Sequence, residues 1–464
     1  MVGIKAFGAY IPVFRVARGP NAGEKAVANM DEDSVTMAVA AGIDCLGKLD
    51  RKTVDALYFA STTSPYKEKM AATTVAMALD LKPGVPVVDI GDSLRAGTIA
   101  LGQAVDAVKA GTYKNVLVTI ADCRVGTPGS EIDMMGGDAA AAFLVSDSDV
   151  AAEAVGRFEL SDDFIDYWRR DGERVTDGWE DRFMTERGYS AHMNNLAKGA
   201  FGKLGIKPDE LGKVAVYGAE PRSYMGFMQR LGVTDPSKVQ DPLFMTVGNA
   251  GAANIPLQLV AILEGAKAGD KVLTLNYGDG GDAYLWQVTG AIDKVRDGSR
   301  RLFSKWLASK LPMRMDIYMR LRPMRGAAPG SRSTPGGYTG SLNAFWRAQS
   351  EVLRLHAGKC RTCGLTIFPI QRVCLHCQTK DNNDEVRIAE EKGKLTVFTK
   401  DFSFGPDPNV VSVVDLDNGV RYHAFMTDRD HNEVKADMPI ELTFRKVNEG
   451  AGFHNYHWKI RPIR

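Results

Sequence analysis

Four cysteines carry the most specific chemistry in this 464-residue chain: Cys360, Cys363, Cys374 and Cys377, spaced C-x2-C-x10-C-x2-C. Two such knuckles bring four thiolates to tetrahedral distance, which suits Zn²⁺. A closed four-sulfur shell leaves no open position for catalysis, so the expected role is structural. His376, inside the second knuckle, is read as a bystander. The other stretch with chemical potential is Val87–Ala104, VVDIGDSLRAGTIALGQA. Its β-branched start predicts a buried strand, Gly91-Asp92-Ser93 a turn with Asp92 or Ser93 as N-cap, and its small residues a closely packed helix. A helix starting at such a turn offers free N–H groups and a positive dipole end to a nucleophile or an anion. Two glycine-rich runs can bring backbone N–H groups against an oxyanion or phosphate, although the same runs also make ordinary turns. One is Val247–Ala253 (VGNAGAA, where Ala250 and Gly251 follow Asn249); the other runs from Gly278 through Gly280 and Gly281 to Tyr284.

SLRAGTIAL resembles a segment of the thiolase superfamily, above all of its 3-hydroxy-3-methylglutaryl-CoA synthase branch, in which a Cys takes the acyl group from CoA. Aligned on Ala96-Gly97-Thr98, the Cys position here is Leu94. The opening strand, the stretch Glu24–Val27 with Asp31–Ala38, and Pro65–Thr73 (PYKEKMAAT) are similar to the bacterial and archaeal members, and the resemblance covers about residues 1–290. It implies a duplicated five-layer thiolase-like α/β fold and a coenzyme A thioester as substrate. It also implies a general acid/base in the loop after Asp122, where Glu131 fits the local Gly-Ser-Glu context and counting back from the next strand gives Asp133. Asn249 would help orient the substrate carbonyl, and Gly251, Gly278, Gly280 and Gly281 would lie along the CoA site. The family's catalytic His falls at Ala219, in Ala219-Glu220-Pro221. His192 is the only histidine before His356 and is placed on the surface of a helix.

With Leu94 and Ala219 at the Cys and His positions, the first expectation is an acyl-CoA C–C lyase or aldolase-type enzyme that forms no covalent intermediate. The second is a non-catalytic subunit of an active thiolase. The third is a nucleic-acid or lipid binder built on the basic stretch described next.

The elements that must position these residues follow the apolar periodicity. Strands are expected at Val2–Pro12, Val54–Ser61, Asn115–Ala121, Ala139–Val145, Lys213–Gly218 and Lys271–Tyr277, with helices opening near Met30 and at Tyr189–Leu204, Tyr224–Leu231 and Asn254–Ala266. Residues 1–292 are read as the thiolase-like domain and 293–340 as a basic linker region, since Lys294–Arg332 holds eleven basic against two acidic residues. Within it SRRLFSKWLASKL has helical spacing and Ala327–Gly340 is a Pro/Gly/Ser linker. Residues 341–388 are read as an amphipathic helix plus zinc ribbon, and 389–464, with five short strands, as an OB-fold-like barrel. Helix, ribbon and barrel together resemble the acyl-CoA-associated module that accompanies thiolases, which implies a homodimer or a hetero-oligomer with a thiolase-fold partner. A formal net charge of +1, 44% apolar residues and no run long enough to span a bilayer argue against nucleic acid and membrane as the main partners. Cys45 and Cys123 stand alone, and six cysteines used in this way fit a reducing cytoplasm.

Overall fold

Apolar runs of strand length, separated by small-residue helices, assemble into a nine-stranded mixed sheet. The computed structural model describes residues 1–19, 22–296, 301–321, 342–403, 407–450 and 453–464. The sheet strands are β1 (Gly3–Tyr10), β2 (Ala56–Ala60), β3 (Val87–Ile90), β4 (Asn115–Asp122), β5 (Ala139–Ser146), β6 (Ala152–Ser161), β7 (Lys213–Val216), β8 (Lys271–Tyr277) and β9 (Gly280–Val288). Their spatial order is β7-β8-β9-β6-β1-β5-β4-β2-β3. Outward from the middle, β1–β5 and β5–β4 are antiparallel, and β4–β2 and β2–β3 are parallel. The other half runs the same way, with β6–β9 and β9–β8 antiparallel and β8–β7 parallel. The halves meet at a thin seam, Gly3↔Glu153 and Ile4↔Ala152.

Helix α1 (Ser34–Leu46) packs on β1, β4 and β5, and α3 (Ala191–Leu204) packs on β6, β8 and β9. Helix α2 (Ala96–Lys109) lies on β4 and β5 and touches α4 (Asn254–Gly265), which reaches strands of both halves. Apolar residues on α2 and α4 are small or branched, so helices and sheet approach closely.

Several expectations change at this level. β3 is not buried: it is the last strand of the sheet, and Val88 is 42% exposed. β-Branched residues favour a strand without fixing its depth. The N-cap of α2 is Arg95, with no side-chain cap, while Asp92 adopts φ +69° in the turn. His192 is buried on the inner face of α3, its Nε2 2.7 Å from Asp162 and its ring stacked on Tyr277. The SRRLFSKWLASKL segment forms a helix at Phe303–Ala308 and a second helix follows at Met315–Leu321; Phe303 and Trp306 bury themselves, Trp306 edge-on to Tyr10. Leu311–Pro312 then pairs with Phe14–Ala17, so residues expected in a linker belong to the first of two compact units. That unit comprises Met1–Ala28, Asp33–Ala76 and Leu81–Gly326; the second comprises Asn29–Glu32, Met77–Asp80 and Ala327–Arg464. The Ala327–Gly340 linker lies outside the described residues.

In the second unit the expected single helix is two short ones, Leu342–Arg347 and Gln349–Val352. Three strands, His356–Cys360, Thr366–Ile367 and Asn383–Arg387, form a small antiparallel sheet. A closed barrel follows, ordered Lys392–Asp401, Asn409–Leu416, Arg421–Met426, Phe453–Pro462, Pro439–Gly450. Alternating inward residues fill it, among them Leu395, Val414, Tyr422, Phe444 and Trp458. Among the described residues, no helix is long and apolar enough to cross a membrane.

Candidate active site

β4 delivers the central organising group of the first unit, Asp122, which has no exposed surface. Its carboxylate accepts hydrogen bonds from Ser61 Oγ (3.0 Å), Thr62 N (2.7 Å) and Ala252 N (2.8 Å), tying two loops to one strand end. Gly251 must approach it closely: at φ +57° a Cβ there would lie 2.4 Å from Asp122 Oδ2. Beyond Asp122 the chain passes Cys123 and Arg124 and enters a short helix, Glu131–Met135, which the sequence presents as loop. Backbone bonds strap this helix to the Asn249 loop, from Asn249 N to Met135 O (2.7 Å) and from Gly137 N to Asn249 O (2.9 Å). Gly137 is needed for that contact, since a Cβ would meet Val247 O at 1.9 Å.

The result is a small, partly open pocket lined by Arg124, Glu131, Ile132, Met135, Gly136, Tyr167, Tyr217, Ala219 and Asn249. Glu131, Asn249 and Ala219 are therefore brought together. Burial, and then the nearby charges of Glu220 and Asp181, push the Glu131 carboxyl up to about 7. Asp133 does not line the pocket: it lies 3.6 Å from Lys25 Nζ and accepts from Gly129 N (3.1 Å) and Tyr318 OH (3.3 Å). Asn249 has already used its amide. Its Nδ2 donates to Tyr217 OH (2.8 Å) and Gly218 O (3.0 Å), and its Oδ1 accepts from Gly251 N (3.0 Å). Asn249 thus holds Tyr217 in place and has no amide hydrogen left for a substrate carbonyl. Ala219 precedes Glu220, the N-cap of helix Pro221–Leu231, and its methyl closes one side.

Leu94 sits elsewhere, in a corner closed by internal bonds, and is not among the pocket-lining residues. Asn276 Nδ2 donates to Leu94 O (3.2 Å), Ser93 Oγ donates to Asp279 (2.6 Å), and Arg95 Nε pairs with the fully buried Asp282 (3.0 Å). Thr98 Oγ1 donates to the other Asp282 oxygen (2.7 Å). A Cβ on Gly278 would lie 3.1 Å from Leu94 Cβ, so the glycine loop passes directly over this corner. Gly280 and Gly281 are in register with Ser161 and Leu160 as the first residues of β9, so they belong to the sheet ladder and not to a free cradle. Cys123 lies beside Thr63, its N donating to Thr63 Oγ1 (3.1 Å), and Cys45 is buried in α1.

Arg124, Tyr167 and Tyr217 were not singled out from sequence. They come from three separate segments, and the available signal was weak: a charged residue just past a buried strand, and a Tyr two residues before Ala219.

In the second unit the ligand atoms of Cys360, Cys363, Cys374 and Cys377 all lie within 4.8 Å of one another, with Sγ···Sγ separations of 3.6 Å for Cys360–Cys377 and Cys363–Cys374. Four sulfurs about 2.3 Å from a common centre stand roughly 3.8 Å apart, so the donor set fits a tetrahedral Zn²⁺.

No family model matches the chain. Curated relatives do. The hydroxymethylglutaryl-CoA synthase of Methanocaldococcus jannaschii is 31% identical over 317 residues, 64% of this chain and 92% of that protein. That of Methanobrevibacter smithii is 29% identical over the same length, again 64% and 92%. A solved HMG-CoA synthase complexed with CoA superposes with a TM-score of 0.61 at 18% identity, covering 69% of this chain and 90% of that one. With one relative above 30% identity and nearly its whole length covered, the chain belongs to the hydroxymethylglutaryl-CoA synthase family.

Proposed function

We propose that the protein binds an acyl-CoA thioester and cleaves or forms a C–C bond by aldol-type chemistry, with Glu131 as the proton-transfer group and without an acyl-enzyme. Glu131 carries the reading: it is a pocket carboxyl poised near 7, while the positions for acyl capture and for the second proton-transfer group hold Leu94 and Ala219. In the cleavage direction Glu131 takes the proton of a 3-hydroxyl group. The bond between C2 and C3 breaks, C3 becomes a carbonyl, and the electron pair moves into the thioester enolate. The protonated Glu131 then returns its proton to C2, so no water, oxidant or nucleophile is consumed. The test is acetyl-CoA release from a panel of 3-hydroxyacyl-CoA thioesters, together with intact mass. Release by the wild type that is lost in Glu131→Gln, with no adduct, is expected; an acyl adduct on Cys123 or Ser93 would replace this reading.

The two half-sheets with matching strand directions, and helix α4 in contact with strands of both, support a duplicated five-layer thiolase-like arrangement. In the second unit the four cysteines would hold one structural Zn²⁺ per chain, with the barrel read as an OB-fold-like module. Metal analysis should give one zinc, and Cys360→Ser should release it and unfold the ribbon, since zinc binding in such sites contributes on the order of 10 kcal/mol to folding. A metal-free, folded ribbon would end this assignment. The exposed edge of β3 supports pairing with a second thiolase-fold chain, which would cover an otherwise open strand.

A further inference from the structure

Tyr217 lines the pocket from a tightly held position. It directly follows β7, and both of its backbone groups are used: N donates to Leu275 O (2.8 Å) and O accepts from Tyr189 OH (2.7 Å). Its ring packs beside those of Tyr189 and Tyr277, with centroids 6.5 and 5.9 Å away. The hydroxyl oxygen is fixed by Asn249 Nδ2, which donates to it at 2.8 Å. A phenol that accepts one hydrogen bond keeps its own hydrogen to give, and no acceptor for it stands among the described residues. Burial pushes this phenol up to about 12, so the hydrogen stays on at neutral pH, although the Arg124 charge and the Asn249 bond pull the other way. The Glu131 charge also acts on Tyr217, so cation, acid and phenol face one space.

The aldol-type step passes through a thioester enolate, whose oxygen needs a donor aimed at the place where the charge develops. Asn249 cannot supply it, because its amide hydrogens go to Tyr217 OH and Gly218 O. Glu131 keeps its proton for C2, and Ala219 offers only a methyl. The capacity to donate has moved one residue along: Asn249 spends its amide on Tyr217, and Tyr217 holds the hydrogen left to give. We propose that Tyr217 is the catalytic donor to the enolate oxygen and that Asn249 is a positioning residue acting through it. The inference rests on the acyl-CoA reading of the pocket, with Glu131 as its proton-transfer group.

Hydrogen–deuterium exchange at C2 of acetyl-CoA in heavy water isolates this step from the rest of any acyl group. The Glu131 carboxylate takes a C2 proton, and the electron pair of the broken C–H bond moves into the thioester carbonyl. Tyr217 donates its hydrogen bond to the resulting oxyanion, and a deuteron gained by Glu131 from solvent returns to C2, so nothing is consumed. The full-length wild type should exchange, and Glu131→Gln should not. Tyr217→Phe should slow exchange by about 10²- to 10³-fold. Its equilibrium affinity for acetyl-CoA should stay within about threefold of wild type, because only the charged state uses the donor. Asn249→Ala should slow exchange by a smaller factor at similar affinity. Exchange that is lost in Glu131→Gln and kept in Tyr217→Phe overturns the proposal while leaving the role of Glu131 standing. Parallel loss of affinity and exchange in Tyr217→Phe also overturns it, because the hydroxyl would then be structural. A wild type that binds acetyl-CoA without exchange removes the enolate reading itself, and the proposal with it.

Discussion

The corner around Leu94 and the pocket around Glu131 are built from similar parts and end in opposite states. At the corner every polar group has an internal partner: Ser93 with Asp279, Arg95 and Thr98 with Asp282, and Asn276 with the Leu94 carbonyl. In the pocket an arginine, two phenols and a carboxyl near neutrality have, among the described residues, no protein partner for the hydrogen or proton they could give. The difference separates scaffold from site. Around Leu94 the polar residues serve as structural ties. Unspent hydrogen-bonding capacity has collected instead around Glu131.

The comparison is broken most severely at Asp282. Removing one partner from a buried ion pair leaves the other charge uncompensated, so Asp282→Ala should cost about 3–5 kcal/mol of stability, read as a large drop in denaturation midpoint. An unchanged midpoint would mean that the corner is not the tie it resembles. The next effect is catalytic. Glu131→Gln should lower turnover of a cleaved thioester by about 10²- to 10⁴-fold, while Asp133→Asn should reduce it far less, since Asp133 is occupied with Lys25 and Tyr318. Equal losses would erase the distinction between the two acids.

A smaller effect follows from pH. If Glu131 acts as a base, the rate should rise with pH through about 7 and level off above it, and the step should vanish in Glu131→Gln. Stability should move the other way. A carboxyl whose folded value is raised from 4.5 to about 7 holds its proton longer when folded, so its contribution is present at low pH and lost as pH rises through that window. Wild type should therefore lose stability relative to Glu131→Gln between those values, and parallel stability curves would count against the burial of Glu131. The smallest effect is a gain. Leu94→Cys places a thiol near the start of α2, and incubation with acetyl-CoA should give partial acylation where the wild type gives none. No adduct on the variant would show that the corner is closed to the thioester.

Much of the fold was legible because it is local. Periodicity located β8 to the residue and α4 and β4 to within one, and the cysteine spacing announced its own cluster. Depth was less legible. Val87–Ile90 reads as core by composition and lies at an edge, because nothing in four residues reveals which strand comes last in a sheet. His192 reads as surface because its partner, Asp162, lies 30 residues away in sequence and across the fold. The candidate site was half visible. Glu131, Asn249 and Ala219 stand in recognisable local contexts, and the choice between Glu131 and Asp133 turned on Lys25 and Tyr318, from distant segments. Arg124, Tyr167 and Tyr217 share no spacing at all, and only the packing of separate loops makes them one wall.

The central place of β1 also has a consequence for the order of synthesis. The strand Gly3–Tyr10, nearly all of it buried in the finished sheet, pairs with Ala140–Ser146 and with Ala152 and Glu153. A ribosome adding about 5–20 residues per second needs roughly 7–30 s to reach those partners. During that interval an apolar segment waits without a ladder, and the growing chain must be shielded, by its own α1 or by a chaperone, until the middle of the sheet can close.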